Sequence, residues 1–190
     1  MILETSRLIL RRWREADFEP FYRINSDPRV MEFFPACLTR AESDALIARA
    51  EAHFEKHGFG PFAVETRAGG NLAGFVGLFI PRFEAHFTPC VEIGWRLAPE
   101  FWNQGLATEA ALRVLRLGFD ELGLNELVSF TVPANLRSRR VMEKLGMSYF
   151  GEFDHPELTE GHPLRRHVLY RKSKDRPKDR RSAPGQRAGS

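Results

Sequence analysis

The sequence predicts a single α+β, or mixed α/β, domain built around one sheet, because strand-like and helix-like segments alternate along most of the chain. Its 190 residues are enough for one domain with a full hydrophobic core. Apolar residues make up 43% of the chain and charged residues 28%, which is ordinary for a globular protein. No segment repeats along the chain, so the sequence does not predict a solenoid or a propeller.

The N-terminal half predicts two helices among three strands. Thr39 and Glu42 have the spacing of a capping box, which marks a helix start, and Gly58 supplies the end of that helix. A Gly-Gly-Asn turn at residues 69–71 joins two apolar segments as a hairpin. The predicted elements are a strand at Arg7–Arg12, a helix at Asp17–Asn25, a helix from Thr39 to about His57, and strands at Phe62–Thr66 and Leu72–Ile80.

The C-terminal half alternates strands and helices more regularly. Apolar and polar residues alternate in VEIGWRL (91–97), which is strand periodicity, and Pro99 ends that strand. From Leu106 the apolar residues recur at helical spacing. The predicted elements are a strand at Val91–Leu97, a helix from Leu106, a strand at Leu127–Val132, a helix at Leu136–Leu145, and strands at Tyr149–Phe153 and His167–Tyr170.

The turn WNQGLA (102–107) has the features of an anion-binding site. It lies at a helix N-terminus, where free backbone N–H groups and the helix dipole favour negative charge. Gly105 lets the backbone approach a ligand, and the small Ala107 leaves room beside it. The turn lacks the Lys-Ser/Thr pair of a P-loop and the three glycines of a dinucleotide fingerprint. Taken alone, one glycine at a helix start favours an ordinary tight turn.

A second motif, TVPANLRSRRVMEKLGM (131–147), follows the strand that ends near Val132. Asn135 can cap the helix that follows, and Gly146 can end it. In this order and spacing, the two motifs resemble those of the GNAT superfamily of acetyl-CoA-dependent N-acetyltransferases. VEIGWRL with WNQGLATEA is similar to its pyrophosphate-binding motif, and residues 131–147 are similar to its second coenzyme-binding motif.

The opening TSRLILR (5–11) and the closing HVLY (167–170) are similar to the branch that includes the ribosomal-protein N-terminal (alanine/serine) acetyltransferases. The resemblance covers roughly Thr5 to Arg171. It implies the acyl-CoA N-acyltransferase fold, with one central, mostly antiparallel sheet flanked by helices. It also implies acetyl transfer to a primary amine, a protein N-terminus or a small amine, by direct attack in a ternary complex.

The resemblance also implies the coenzyme-binding residues. The turn would bind the pyrophosphate, backbone groups of the preceding strand would pair with the pantetheine arm, and the second helix would contact its cysteamine end. The residues so implied are Asn103, Gln104, Gly105, Leu106, Ala107 and Thr108 for the pyrophosphate, Trp95, Arg96 and Leu97 for the arm, and Asn135 and Ser138 for the cysteamine end.

Catalysis is assigned to two residues. Glu92 matches a strand glutamate that is the general base in some members, and burial in a strand would raise its pKa towards a useful range. It could instead only pair with an arginine such as Arg96. Many members protonate the departing thiolate with a Tyr, but Met142 stands at the matching position. Ser138 is then the nearest polar candidate for the acid. Trp102 stands where the pyrophosphate motif usually has Gln or Arg.

Two loops, Arg29–Pro35 and Asp154–Pro163, are expected to line the acceptor side, although their residues could equally face solvent. Aromatic residues and carboxylates of these loops could receive a cationic amine. The three histidines from His155 to His167 lack a metal-ligand spacing, and no metal is expected.

Residues 173–190 carry six Lys or Arg against two Asp, a net charge of +4, so the rest of the chain carries −1. We expect a domain over residues 1–172 and a disordered basic tail over 173–190. The two cysteines and the absence of a signal-peptide pattern in MILETSRL favour a cytoplasmic location, with neither membrane nor nucleic acid as partner. A homodimer is compatible with the sequence. A coenzyme-binding sensor without turnover, or a nucleic-acid- or ribosome-associated module acting through the tail, remains an alternative.

Overall fold

The computed structural model describes residues 1–174, which form one eight-stranded sheet and four α-helices. The strand order is β1-β2-β3-β4-β5-β6-β8-β7, and every neighbouring pair is antiparallel except β5 and β6. The elements are β1 Leu3–Glu4, β2 Leu8–Arg11, α1 Phe18–Ser26, α2 Arg40–His57, β3 Pro61–Thr66, β4 Leu72–Phe79, β5 Glu92–Leu97, α3 Leu106–Arg116, β6 Glu126–Thr131, α4 Leu136–Lys144, β7 Ser148–Asp154 and β8 Arg166–Ser173.

The structure confirms the predicted α+β class and each predicted element, with bounds that differ by a few residues. Thr39 forms the capping box with Glu42, and Gly58 ends α2 in the left-handed conformation at φ 74°. Sequence reasoning missed the two-residue strand β1, which is too short to carry a periodicity. It also missed that α3 passes into one π-helical turn at Leu117–Glu121.

The sheet is covered on both faces. The larger apolar cluster joins Val76 and Ile93 to the buried face of α3, including Ala110 and Val114. A second cluster joins the opposite face to the helix pair α1 and α2; its buried members include Phe21. Because side chains alternate along a strand, Glu92, Gly94 and Arg96 of β5 lie on the α1–α2 face.

β5 and β6 separate after a single paired position. Glu92 stands opposite Val128, and the Val128 N–H donates to the Val91 carbonyl at 3.0 Å. The two strands continue to Leu97 and Thr131 without further pairing. They therefore leave a gap in the sheet that widens towards the beginnings of α3 and α4.

The last strand ends one residue beyond the expected domain boundary. Ser173 belongs to β8, and the Lys174 N–H donates to the Asn125 carbonyl at 2.8 Å. The rest of the predicted basic tail lies outside the described residues. Within residues 1–174, no helix has both the length and the apolar composition needed to cross a membrane.

Candidate functional site

The side of β5 that faces the gap presents unpaired backbone groups. The Ala98 N–H donates to the Ala73 carbonyl at 2.9 Å, which fixes the alternation of the β4–β5 ladder. By that alternation, Trp95 and Leu97 turn their N–H and C=O groups towards the gap, while the backbone of Arg96 pairs with β4. The Leu97 carbonyl accepts the Trp102 indole N–H at 2.7 Å. Trp95 and Leu97 thus stand where the predicted coenzyme arm would pair, but Arg96 does not.

The turn before α3 closes the open end of this gap. Asn103 and Gly105 both adopt left-handed backbone conformations, at φ 58° and φ 76°. A Cβ built on Gly105 would meet only Arg7 Nη2, at 3.6 Å, so the space above the turn is open. Gln104 is exposed, Leu106 is buried, and Ala107 and Thr108 are half-buried in the first turn of α3. The structure therefore gathers the predicted pyrophosphate residues around an accessible helix start.

An arginine from the N-terminal segment reaches this turn. Arg7 Nη1 donates to the Gln104 carbonyl at 2.9 Å, and Arg7 Nε donates to Glu109 Oε2 at 2.7 Å. Glu109 also accepts hydrogen bonds from Thr5 and Ser6. Burial alone would raise the pKa of Glu109, but the hydrogen bonds from Thr5, Arg7 and Ser6 outweigh it and lower the pKa to about 2.

Sequence reasoning gave Arg7 and Glu109 no role. The sequence did carry one signal for them. Glu109 lies in the first turn of a helix that begins at a predicted anion site, and its negative charge would repel the ligand unless a cation neutralised it.

A second guanidinium reaches the turn from α4. Arg137 lies over the Trp102 ring, with its Cζ 4.2 Å from the centroid, and Arg137 Nη2 donates to Glu32 Oε2 at 2.8 Å. The pyrophosphate motif has Trp102 at a position where Gln or Arg is usual. In the fold, Arg137 of α4 lies beside that position. Arg137 also links α4 to the α1–α2 loop, residues 27–39, across the gap.

The beginning of α4 is fixed by Asn135. Asn135 Oδ1 accepts the Ser138 N–H at 3.1 Å, and Asn135 Nδ2 donates to Thr131 Oγ1 at 3.0 Å. Both ends of the predicted coenzyme-binding amide are therefore occupied by protein groups. Ser138 is half-buried, whereas Met142 is fully buried in the larger cluster. Of the two, only Ser138 has a polar group and solvent contact.

Glu92 lies at the narrow end of the gap. Its Oε1 would be 3.4 Å from a Cβ built on Gly94, so the carboxylate leans along the strand over that glycine. Burial raises the pKa of Glu92 to about 8. Among the described residues, none donates a hydrogen bond to this carboxylate, and Arg96 does not pair with it. The structure therefore places Glu92 away from the arginine that was its alternative partner.

An aromatic cluster covers the same sheet face on the β6–β8–β7 side of Glu92. Val128, the residue opposite Glu92, belongs to it. His155 and His167 join its edge with ring centroids 5.1 Å apart, and burial lowers the pKa of both. Its other members are Phe83, Ala85, Phe87, Cys90, Phe130, Phe153 and Leu169. This apolar cluster thus begins beside Glu92 on the face of the sheet to which its side chain points.

The two loops expected on the acceptor side contain four acids, and two of them are already paired. Glu32 binds Arg137, and Asp154 pairs with Arg166 at 3.1 Å. Phe34 of the first loop is 40% exposed and stacks on Arg96. Across residues 1–174, His, Cys, Asp and Glu side chains form no cluster of three or more that could hold a metal ion.

Comparison with known proteins finds the same fold in acetyltransferases. Residues 7–148 match a family model described as an acetyltransferase (GNAT) domain. The chain is 33% identical over 155 residues to the uncharacterized N-acetyltransferase YnaD of Bacillus subtilis, covering 80% of this chain and 86% of that protein. A GNAT-family acetyltransferase from Bacillus anthracis superposes with a TM-score of 0.74 at 26% identity, covering 91% of this chain and 98% of its own. The ribosomal-protein-S5-alanine acetyltransferase of Vibrio fischeri shares the fold, with a TM-score of 0.72 at 18% identity and coverage of 92% and 97%.

Proposed function

The chain belongs to the GNAT acetyltransferase family and is an N-acetyltransferase, and from that premise we propose that it acetylates a primary amine with Glu92 as general base. The observation that carries the proposal is the position of Glu92 at the point where β5 and β6 separate. A base there lies beside the gap for the coenzyme and on the sheet face turned towards the acceptor loops. Such a base would typically accelerate the reaction about 10²–10⁴-fold.

The residues around the gap suit acetyl-CoA, which supplies an activated acetyl thioester for direct attack by the amine. Trp95 offers its N–H and C=O groups to the pantetheine arm, as a neighbouring strand would, and Leu97 offers its N–H, since its carbonyl accepts the Trp102 indole. The Gly105 turn offers helix N–H groups to the diphosphate, and the guanidinium groups of Arg7 and Arg137 both reach this turn. Asn135 already bonds within the protein, so we propose that it fixes the start of α4.

An acceptor with a free α-amino group matches a base of this strength. An α-amine has a pKa near ~8 and a lysine near ~10.4, so deprotonation at pH 7 costs about 1 and about 4–5 kcal/mol respectively. Because burial raises the pKa of Glu92 towards that of an α-ammonium, proton transfer to Glu92 is less costly from an α-ammonium than from a lysine. We therefore propose a protein N-terminus or a small α-amine as the acceptor.

The group that protonates the departing thiolate is proposed to be Ser138, which is half-buried in the first turn of α4. A hydroxyl is a weaker acid than the Tyr of many relatives, and the fully buried Met142 cannot serve. That observation favours, as a second candidate, a protein that binds acetyl-CoA and turns it over poorly or not at all.

Thiol release from acetyl-CoA, measured with a panel of amines, tests the proposal. The panel contains peptides with free N-termini, the same peptides with only a lysine amine free, polyamines and amino sugars. We expect turnover with α-amines ahead of the lysine peptides, and an added acetyl group in the mass spectrum of the product. Thermal stabilisation by acetyl-CoA without turnover of any amine would instead support the sensor.

A further inference from the structure

Arg96 is a partly buried cation without a counter-ion among the described residues. Its Nη1 donates to Asn25 Oδ1 at 2.6 Å, and its Cζ lies 4.2 Å from the Phe34 ring centroid and 5.6 Å from that of Phe75. Asn25 is itself fully buried and held by Ser43. No carboxylate among residues 1–174 forms an ion pair with Arg96, which leaves this charge uncompensated.

Arg11, a buried arginine of the same domain, has its charge balanced by carboxylates. Arg11 is 5% exposed, and it pairs with Asp17 and with Glu65, each at 2.7 Å. Burying a cation without a partner is costly, and for Arg96 burial lowers the pKa to about 10, although a guanidinium stays protonated at neutral pH. Two aromatic rings offset only part of that cost.

One amino group of the Arg96 guanidinium remains available to a ligand. Arg96 Nε is sealed from solvent without an acceptor, and Nη1 is used by Asn25. Nη2 has no acceptor among the described residues and, unlike Nε, it is not sealed from solvent. An arginine held by Asn25 and two rings, with Nη2 open, is already oriented for an acceptor from outside.

Arg96 shares its sheet face with the proposed base. Glu92 and Arg96 are four residues apart in β5, so their Cα atoms are ~13 Å apart at ~3.3 Å per residue. Gly94 lies between them, and a Cβ there would come within 3.2 Å of the Phe79 ring and 3.4 Å of Glu92 Oε1. The Phe79 ring and the Glu92 carboxyl group therefore reach over Gly94, and no side chain of β5 stands between Glu92 and Arg96 on this face.

We propose that Arg96 binds an anionic group of the acceptor, so that the substrate is an amine carrying a carboxylate or phosphate several bonds away. This inference rests on the proposed function, because the amine must lie at Glu92 while its anion lies at Arg96. A free α-amino acid is too short, since its amine and carboxylate are attached to the same carbon. Short peptides with a free N-terminus and a free C-terminus carry an α-amine and an anion several bonds apart. ω-Amino acids and ω-aminoalkyl phosphates separate the two groups in the same way but carry a less acidic amine, so they test the anion preference alone.

The test compares twin acceptors that differ only in charge. Trialanine and trialanine amide, 6-aminohexanoate and its amide, and 6-aminohexyl phosphate and 6-aminohexanol are each assayed for kcat/KM with acetyl-CoA saturating. We expect the wild-type protein to prefer the anionic twin at least tenfold, because a hydrogen bond to a charged group is involved. The carboxylate and phosphate pairs identify which anion fits.

Two substitutions locate the preference. Arg96→Gln should reduce the ratio between twins to about two or less, whereas Arg40→Gln should leave it at the wild-type value. Arg40 is a matched control because it also lies over a ring, 5.7 Å from the centroid of Tyr22, but pairs with Glu19 and Asp44. The ratio is independent of how much enzyme is folded. Equal rates for wild-type twins, or an unchanged ratio in Arg96→Gln, would overturn the proposal.

Binding of the acetylated products separates this inference from the proposed function. N-acetyltrialanine and its amide need no turnover to bind, and their dissociation constants can be measured by calorimetry in the presence of coenzyme A. Suppose that no amine is acetylated, but N-acetyltrialanine binds tenfold more tightly than its amide and does so only when Arg96 is present. That result would contradict the proposed function and support the anion site. Equal binding of the two by the wild-type protein contradicts the anion site whatever the turnover.

Discussion

Replacing the proposed base should change how the stability of the protein depends on pH. The Glu92 carboxyl has a pKa of about 8 in the folded chain because it is buried, against an ordinary value of 4.5. Between these two pH values the native state keeps a proton that the unfolded chain has lost. Native stability therefore falls as pH rises through this range, and glutamine, which does not titrate, removes that dependence.

The pKa shift sets the size of the effect. Moving from 4.5 to about 8 corresponds to about 5 kcal/mol at ~1.36 kcal/mol per unit, as an upper limit. Because Glu92 keeps some solvent contact, we expect roughly 1–3 kcal/mol. A domain of this size changes its Tm by about 2–4 °C per kcal/mol. Glu92→Gln should thus gain on the order of 5 °C relative to wild type between pH 4.5 and 8.5.

Thermal unfolding of both proteins at half-unit pH steps measures this difference directly. Glu126→Gln is the control, since Glu126 is an exposed carboxylate on the neighbouring strand, 3.6 Å from Arg171. Turnover is measured on the same samples. We expect Glu92→Gln to be at least tenfold slower near neutral pH, with a deficit that shrinks as the amine loses its own proton.

The two readouts can fail separately. A Tm difference that is the same at pH 5 and pH 8.5 would mean that the Glu92 carboxyl is well solvated, which refutes the reasoning from burial. Equal turnover of Glu92→Gln and wild type across pH 6–9 would remove Glu92 from the mechanism, even if the stability effect is present.

Three further predictions concern the coenzyme turn and the chain ends. Acetyl-CoA at 100 times its Kd should stabilise the protein by about 2.7 kcal/mol, measured as a thermal shift, and Gly105→Glu should abolish this stabilisation. Gly123→Glu is the control and should keep it, because Gly123 has a similar φ of 69° and lies in open space. Glu109→Gln should lower the free energy of unfolding at pH 7 by about 1–3 kcal/mol. Because hydrogen bonds hold the pKa of Glu109 to about 2, this loss should disappear as pH falls from 4.5 towards 2. Denaturant titrations that find the same loss at every pH would contradict this. Removing residues 175–190 should leave Tm and acetyl-CoA affinity unchanged, and a clear loss of either would mean that the tail docks on the domain.

The fold could be predicted well because its signals are local. Alternation in residues 91–97, the capping box at Thr39 and the glycine stops each depend on a few neighbouring residues, and each element lies where it was expected. The strand β1 has two residues, and no local pattern can indicate it. The resemblance to a known family supplied the expectation of one central, mostly antiparallel sheet and the expected roles of the two motifs, which periodicity alone does not determine.

The site was only partly predictable, because its polar contacts join residues far apart in the chain. Arg7 reaches Glu109 and the Gly105 turn across about a hundred residues, and Arg137 reaches Glu32 across a similar distance. Nothing near Arg7 in the sequence indicates these partners. Likewise, the motif names residues 95–97 together, and only the register of β4 against β5 separates Arg96 from the two residues that face the gap.

The surroundings of Arg96 could not be predicted from the sequence, because what distinguishes them is the lack of a carboxylate partner among the described residues. The sequence places it on the same strand face as Glu92, and the alternative to a catalytic role for Glu92 was that the two would pair. The fold instead turns the guanidinium towards Asn25 and two rings, while Glu92 leans over Gly94. Because burial keeps the Glu92 carboxyl largely protonated at neutral pH, Arg96 carries the uncompensated charge on this face. Such a charge is costly to a fold, and it can be retained if it binds an anionic group of the substrate.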